Sequence, residues 1–282
     1  MDELMALLQA AADLHASDVY VLPQGATYDI WWRTTAGMQR NQTVPAAIAA
    51  RWLNYLKYQA GMNIAEHRRV QLGAVSLPGL TPRLRLSTVG NFADQETLVI
   101  RLLYGIPPVN VRTAIVVRQL HHLLATRGML ALCGPTGAGK SALLYQVAAD
   151  FAQTQMVMTI EDPVEIIHAA FLQLQVNEAA GQSYAALLKA ALRHRPDVMV
   201  IGEIRDHETA VTACEAAVSG HIVLTTVHAK DARSVPVRLR SLGVAQSLIE
   251  AALVVSGAVR LKLTPEVYPE VEMVKWQIAS SH

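Results

Sequence analysis

Leu130-Ala131-Leu132-Cys133-Gly134-Pro135-Thr136-Gly137-Ala138-Gly139-Lys140-Ser141 is the stretch from which the fold can be read. A short apolar run gives way to a Gly, four residues and then Gly-Lys-Ser, and a helical pattern follows from Lys140 to Ala152. Strand, glycine-rich loop and helix in that order make a phosphate-binding loop. Glycines let the backbone wrap so that its N–H groups point inward at phosphate oxygens, and the helix adds its positive end. Gly134, Thr136, Gly137, Ala138, Gly139, Lys140, Ser141 and Ala142 are therefore the candidate nucleotide-binding residues. Lys140 is expected on the β- and γ-phosphates and the Ser141 hydroxyl on Mg²⁺.

Outward from the loop, strands and helices alternate. Strands are expected at Leu130 to Cys133, Met156 to Ile160, Leu172 to Val176, Val198 to Ile201 and Ile222 to Thr226, with helices at Lys140 to Ala152, Tyr184 to Arg193 and Asp206 to Val218. Near-continuous apolar strands between helices indicate a largely parallel sheet covered on both faces, so the fold class is α/β. Ligands bind such sheets at the carboxyl ends of the strands. The Val198 strand ends in Gly202-Glu203, and Glu203 is expected to hold Mg²⁺ through water rather than directly. Past the Met156 strand, Glu161, Asp162 and Glu165 place three carboxylates together. The break at Asp162-Pro163 lets Glu165 approach a γ-phosphate and act on water, with Glu161 as a ligand of the ion or of its water shell; either could be the base.

His221 opens the Ile222 strand and His228 follows its far end. Seven residues of nearly extended chain hold the two imidazoles roughly 20 Å apart, too far to share one metal. His228 is read as a γ-phosphate sensor or domain contact, and His221 as a less direct member of the same network.

The first hundred or so residues read differently. Leu4, Leu7, Leu8, Ala11 and Ala12 recur at helical spacing, and Pro45 to Gly61 is a second helix. Short strands are expected at Val19 to Leu22, Tyr28 to Arg33, Leu72 to Val75, Arg83 to Val89 and Thr97 to Leu103, giving a smaller α+β domain over residues 1–104. Arg83 and Arg85 share one strand face and Arg101 lies on a neighbouring strand; by themselves they read first as a solvated charged face and second as phosphate contacts. Gly105-Ile106-Pro107-Pro108 breaks both periodicities, so 105–112 is read as a linker and 113–282 as the nucleotide domain.

Bulk properties narrow the class. The 282 residues are 52% hydrophobic and 17% charged, with net charge +1. That composition is globular, and it offers no global field to draw the chain onto DNA; direct nucleic-acid binding is not expected. The amino terminus is acidic where a signal peptide would be basic, and no uncharged apolar run of about 18 residues occurs, so a cytoplasmic protein without a transmembrane segment is expected. Cys133 and Cys214 have no metal or redox spacing and are read as buried and structural.

Taken together, the phosphate loop, Thr159 to Glu165, Leu192 to Asp197 running into Gly202 to Asp206, and Gly220-His221 with Thr226-Val227-His228 resemble the Walker A, Asp, Walker B and His boxes of the type II secretion and type IV pilus ATPases. Ala16 to Val19, Gly61-Met62 and Glu66 to Gln71 match the leading domain of that family. The resemblance spans nearly the whole chain. It implies a hexameric ring in which a RecA-like P-loop ATPase domain follows a smaller PAS-like α+β domain, with ATP and Mg²⁺ as cofactors and Arg83, Arg85 and Arg101 as phosphate contacts. It also implies a platform protein of a pilus or pseudopilus machine in the inner membrane as partner, with the ring peripheral on the cytoplasmic face. The compact form, without a cysteine-rich insertion after the His box, is most similar to the competence pilus assembly ATPases of Gram-positive bacteria, which serve DNA uptake. A retraction motor, and a type IV secretion or DNA-translocating ring, are the alternatives. His228-Ala229-Lys230 stands where the family commonly has His-Thr-Asn.

Overall fold

The computed structural model describes residues 2–124, 127–262 and 267–276. The chain divides into two compact units, Met1–Gly105 and Ile106–His282.

In the first unit, α1 (Asp2–Asp13) buries Leu4, Leu7, Leu8, Ala11 and Ala12 along one face. The strands β1 (Asp18–Gln24), β2 (Thr27–Thr34) and β3 (Gly37–Pro45) follow, then α2 (Ala46–Gln59), β4 (Gln71–Val75), β5 (Arg83–Gly90) and β6 (Glu96–Leu103). They form one sheet in the order β3-β2-β1-β6-β5-β4, with every neighbouring pair antiparallel. Along β5, Leu84, Leu86 and Thr88 are buried and Arg83, Arg85 and Ser87 are not, so the two arginines do share a face. The buried side of the sheet packs with both helices around Ile30, Trp52, Leu53, Leu56 and Ile100. Each such side chain contributes about 1.5–3 kcal/mol when fully removed from water.

A buried ion pair ties the parts of this core together. Lys57 on α2 is wholly buried, and its Nζ donates to Glu96 Oε1 and to the Glu66 carbonyl, both at 2.6 Å. His67 Nδ1 meets the other Glu96 oxygen at 2.8 Å. The loop carrying Glu66 and His67 is thereby tied to α2 and β6.

The second unit begins with α3 (Val111–Leu123), whose first turn is capped by the Asn110 side chain accepting from Thr113 N–H at 2.9 Å. Residues 111 and 112, read above as linker, belong to this helix. Then come β7 (Gly128–Cys133), α4 (Lys140–Phe151), β8 (Val157–Glu161), β9 (Phe171–Gln175), α5 (Tyr184–His194), β10 (Val198–Ile204), α6 (His207–Val218) and β11 (Ile222–Val227). The chain closes with α7 (Val235–Ser241), α8 (Gln246–Ala252), β12 (Leu253–Lys262) and β13 (Tyr268–Lys275), in a stretch where the sequence suggested no elements. The strand order is β13-β12-β7-β11-β10-β8-β9; all neighbours are parallel except β12 and β13. This is an α/β unit into which a RecA-like P-loop domain fits. β7, β8 and β11 are buried at every residue, as strands covered on both faces must be. Among the described residues no helix is long and apolar enough to cross a membrane.

Candidate active site

The carboxyl ends of β7, β8, β10 and β11 open into one cavity of about 570 Å³. β7 delivers the glycine-rich loop. Gly134 has φ 138°, and a Cβ there would lie 2.5 Å from the Val259 carbonyl oxygen, so the chain can turn off β7 only with glycine. Gly139, at φ 85°, is the left-handed residue before the first turn of α4. Thr136, Gly137, Gly139, Lys140, Ser141 and Ala142 line the cavity; Ala138 is buried, its N–H donating to the Pro135 carbonyl at 3.2 Å. Lys140 curls back over its own loop, with Nζ donating to the Gly134 and Pro135 carbonyls at 2.9 Å each. Burial lowers the Lys140 pKa, opposed by the Glu203 carboxylate.

β10 brings Glu203 to the cavity wall. Arg205, two residues on, grips Glu203 Oε2 through Nε at 2.8 Å and its terminal nitrogen at 2.7 Å. His228, just past β11, sets Nε2 against Glu203 Oε1. Thr226 lines the same wall and donates its hydroxyl to the Gly202 carbonyl at 2.7 Å, locking the ends of β10 and β11 together.

β8 ends at Glu161, and the acidic loop continues from it. Glu161 is buried, with burial pushing its carboxyl above the usual range against the pull of the hydroxyls of Thr159 and Tyr145 and the Gln173 amide. Glu165 is exposed and lines the cavity beside Asp162 and Pro163.

The folding therefore brings the loop, Glu161, Glu165, Glu203 and His228 to one place. His221 is elsewhere: it stands at the amino end of β11, its Nδ1 3.1 Å from the Ala216 carbonyl, among Pro196, Asp197 and Gly220. A fully extended β11 cannot bring both of its flanking histidines to one end, so the expectation that His221 joins the nucleotide network is not met in this unit. Arg83 and Arg85 are half-buried on β5 of the first unit, and Arg101 on β6 donates from Nε to Asp18 Oδ1 at 2.9 Å. Cys133 and Cys214 are free and buried; burial pushes the Cys214 thiol up to about 12.

Arg205, Tyr145, Tyr184 and Thr226 also line the cavity; Arg205 and Thr226 stand within the motifs quoted above without a role of their own, and neither tyrosine was singled out. Arg205 carried a signal, standing two residues past a strand-end carboxylate. Tyr145 carried none, being one more apolar-face residue of α4.

For Mg²⁺, the donor set on hand is the Ser141 hydroxyl and the Glu203 carboxylate. Among the described residues, no group of three or more His, Cys, Asp or Glu is placed to hold a metal. That fits an ion which keeps several waters and takes further oxygens from phosphate, and it would not fit one needing an all-protein cage.

The family model for type II/IV secretion system protein matches residues 1–277. The chain is 38% identical over 253 residues to "Competence protein ComGA" of Streptococcus pneumoniae, covering 89% of this chain and 80% of that protein. It is 36% identical over 265 residues to the protein of the same name from Bacillus subtilis, covering 90% and 74%. Among solved structures, the ATPase DotB of Legionella pneumophila superposes with a TM-score of 0.79 at 19% identity, over 97% of this chain and 80% of that one, a likeness of fold. A match across nearly the full length, with the phosphate loop and its facing carboxylates in place, means that the chain belongs to the type II/IV secretion system protein family and is a P-loop ATPase of it.

Proposed function

We propose that this ATPase is a homohexameric motor that spends ATP to assemble a competence, type IV-like pilus for DNA uptake, working on a platform protein from the cytoplasmic face of the membrane. In this reading the first unit is the PAS-like domain of the family. The observation that carries the catalytic half is the meeting of Lys140, Glu165, Glu203 and His228 in one cavity; the ComGA relatives support the biological half.

The N–H groups of the loop and the amino end of α4 receive the triphosphate. Lys140 leaves the Gly134 and Pro135 carbonyls for the β- and γ-phosphates, trading neutral acceptors for charged ones. Glu165 accepts a proton as water attacks the γ-phosphorus and ADP departs; His228 stands at the γ end beside Glu203. Mg²⁺, held by Ser141 and through water by Glu203, would neutralise charge on the phosphates. Arg83, Arg85 and Arg101 are proposed as further phosphate contacts.

The test is turnover by the purified chain together with its native mass. The wild type is expected to hydrolyse ATP as a six-subunit species. Lys140→Ala should be inactive, and Glu165→Gln should lose about 10²–10⁴-fold in kcat while still binding ATP. Wild-type turnover in Glu165→Gln would remove that residue from its role.

A further inference from the structure

The cavity has a buried floor that the reaction above does not use. Glu161 is 6% exposed, Tyr145 3% and Thr159 0%. Glu161 Oε1 accepts from the Tyr145 hydroxyl, from Thr159 Oγ1 at 2.6 Å and from Gln173 Nε2 at 3.3 Å. The Tyr145 oxygen in turn accepts from Gln173 Nε2 at 3.0 Å.

The same glutamine reaches the acidic loop. Between β8 and β9, residues 162–170 have no helix or strand of their own. Gln173 Nε2 donates to the Ile166 carbonyl at 2.7 Å, and its Oε1 accepts from His168 N–H at 2.9 Å. Gln175 Oε1 accepts from Val164 N–H at 3.2 Å. Two side chains of β9 thus hold the loop at alternate residues, on either side of Glu165.

An ion ligand or a general base needs a lone pair turned toward the reactants. Glu161 is 6% exposed and spends one oxygen on three donors of its own unit. Among the described residues no partner takes up the Glu165 carboxylate, and Glu165 lines the cavity.

We propose that Glu161, with Tyr145 and Gln173, is a positioning residue: it fixes the 162–170 loop and so places the Glu165 carboxylate, without binding the ion or taking the proton. This rests on the reading of the cavity as the site of ATP hydrolysis with Glu165 acting on water.

The experiment compares Glu161→Gln, Glu161→Ala, Gln173→Leu and Glu165→Gln in the full chain, reading kcat and KM for ATP, thermal midpoint, and amide exchange over 162–170. Glu161→Gln keeps an accepting oxygen and should retain at least about a third of kcat. Glu161→Ala and Gln173→Leu should lose about 10- to 100-fold in kcat with KM within about twofold, because a base displaced by about 1 Å costs that much. Both should speed exchange of the loop amides. If Glu161→Gln is as inactive as Glu165→Gln, Glu161 is a ligand or base and the proposal falls. It falls equally if Gln173→Leu turns over like wild type, if the losses track KM or the fraction unfolded, or if loop exchange is unchanged. Absence of turnover in the wild type would instead sink the ATP-hydrolysis reading, and loop exchange would still decide whether Glu161 and Gln173 hold the loop.

Discussion

Arg85 and Arg101 stand directly opposite each other across the β5–β6 pair, so two guanidinium groups share one patch of the sheet. On its other side Arg101 is in register with Asp18 of β1, to which it donates. Like charges directly opposite are destabilising by roughly 0.2–1 kcal/mol. Arg85→Gln is therefore expected to raise unfolding free energy by that amount at low ionic strength, a gain that shrinks with added salt. The same variant should turn over ATP more slowly if the guanidinium contacts phosphate as proposed. Denaturant unfolding at two salt concentrations, with ATPase rates, separates the two effects; a loss of stability at low salt would refute the repulsion.

Gly134→Ala tests the turn off β7. The new methyl would meet the Val259 carbonyl at 2.5 Å, in a backbone region that L residues rarely occupy. Strain of that kind costs on the order of 1–3 kcal/mol before the clash is counted. Unfolding of the second unit should shift down accordingly and binding of a fluorescent ATP analogue should be lost. Unchanged binding would mean that the loop tolerates a side chain there.

Lys57→Met should be severe, at about 3–5 kcal/mol, because it leaves the buried Glu96 carboxylate facing a methyl group. Lys57→Met with Glu96→Leu should recover most of that loss. Chemical denaturation of the two variants beside the wild type checks it, and a Lys57→Met substitution costing under about 1 kcal/mol would show that the pair is not committed.

The raised pKa of Glu161 gives a pH dependence with a definite sign. The folded state holds this proton more tightly than the unfolded chain, so the contribution of Glu161 is most favourable below the ordinary carboxyl range and falls as pH rises from there through the elevated folded value. Stability of wild type relative to Glu161→Gln should decline over that window and level off above it. A difference that grows with pH would reverse the assignment.

The parts of the molecule that the sequence disclosed are those where chemistry and period coincide. β7, β8, β10 and β11 are near-continuous apolar runs, broken only by Thr159, Thr225 and Thr226 and by the polar ends of β8 and β10, because both faces are covered, and Glu161, Glu203 and His228 fall where three of the runs stop. β3 escaped detection because it is exposed at all but Val44; with no face to bury, Met38-Gln39-Arg40-Asn41-Gln42 carries no alternation, and what makes it a strand is backbone pairing with β2, joined by Arg40 and Thr43 on Asp29. Pro45 was read inside the helix and instead caps it, φ −58° serving either place. Within the site, types and strand ends located Lys140, Glu203 and Glu165. What a linear pattern could not give was which carboxylate is already spoken for, since Tyr145 and Gln173 reach Glu161 from two other elements.

Because the ammonium of Lys140 rests on two carbonyls of its own loop, the pocket carries a resident occupant. Any incoming phosphate competes with that tenant, and only an anionic oxygen that reaches the ammonium can draw it off the Gly134 and Pro135 carbonyls.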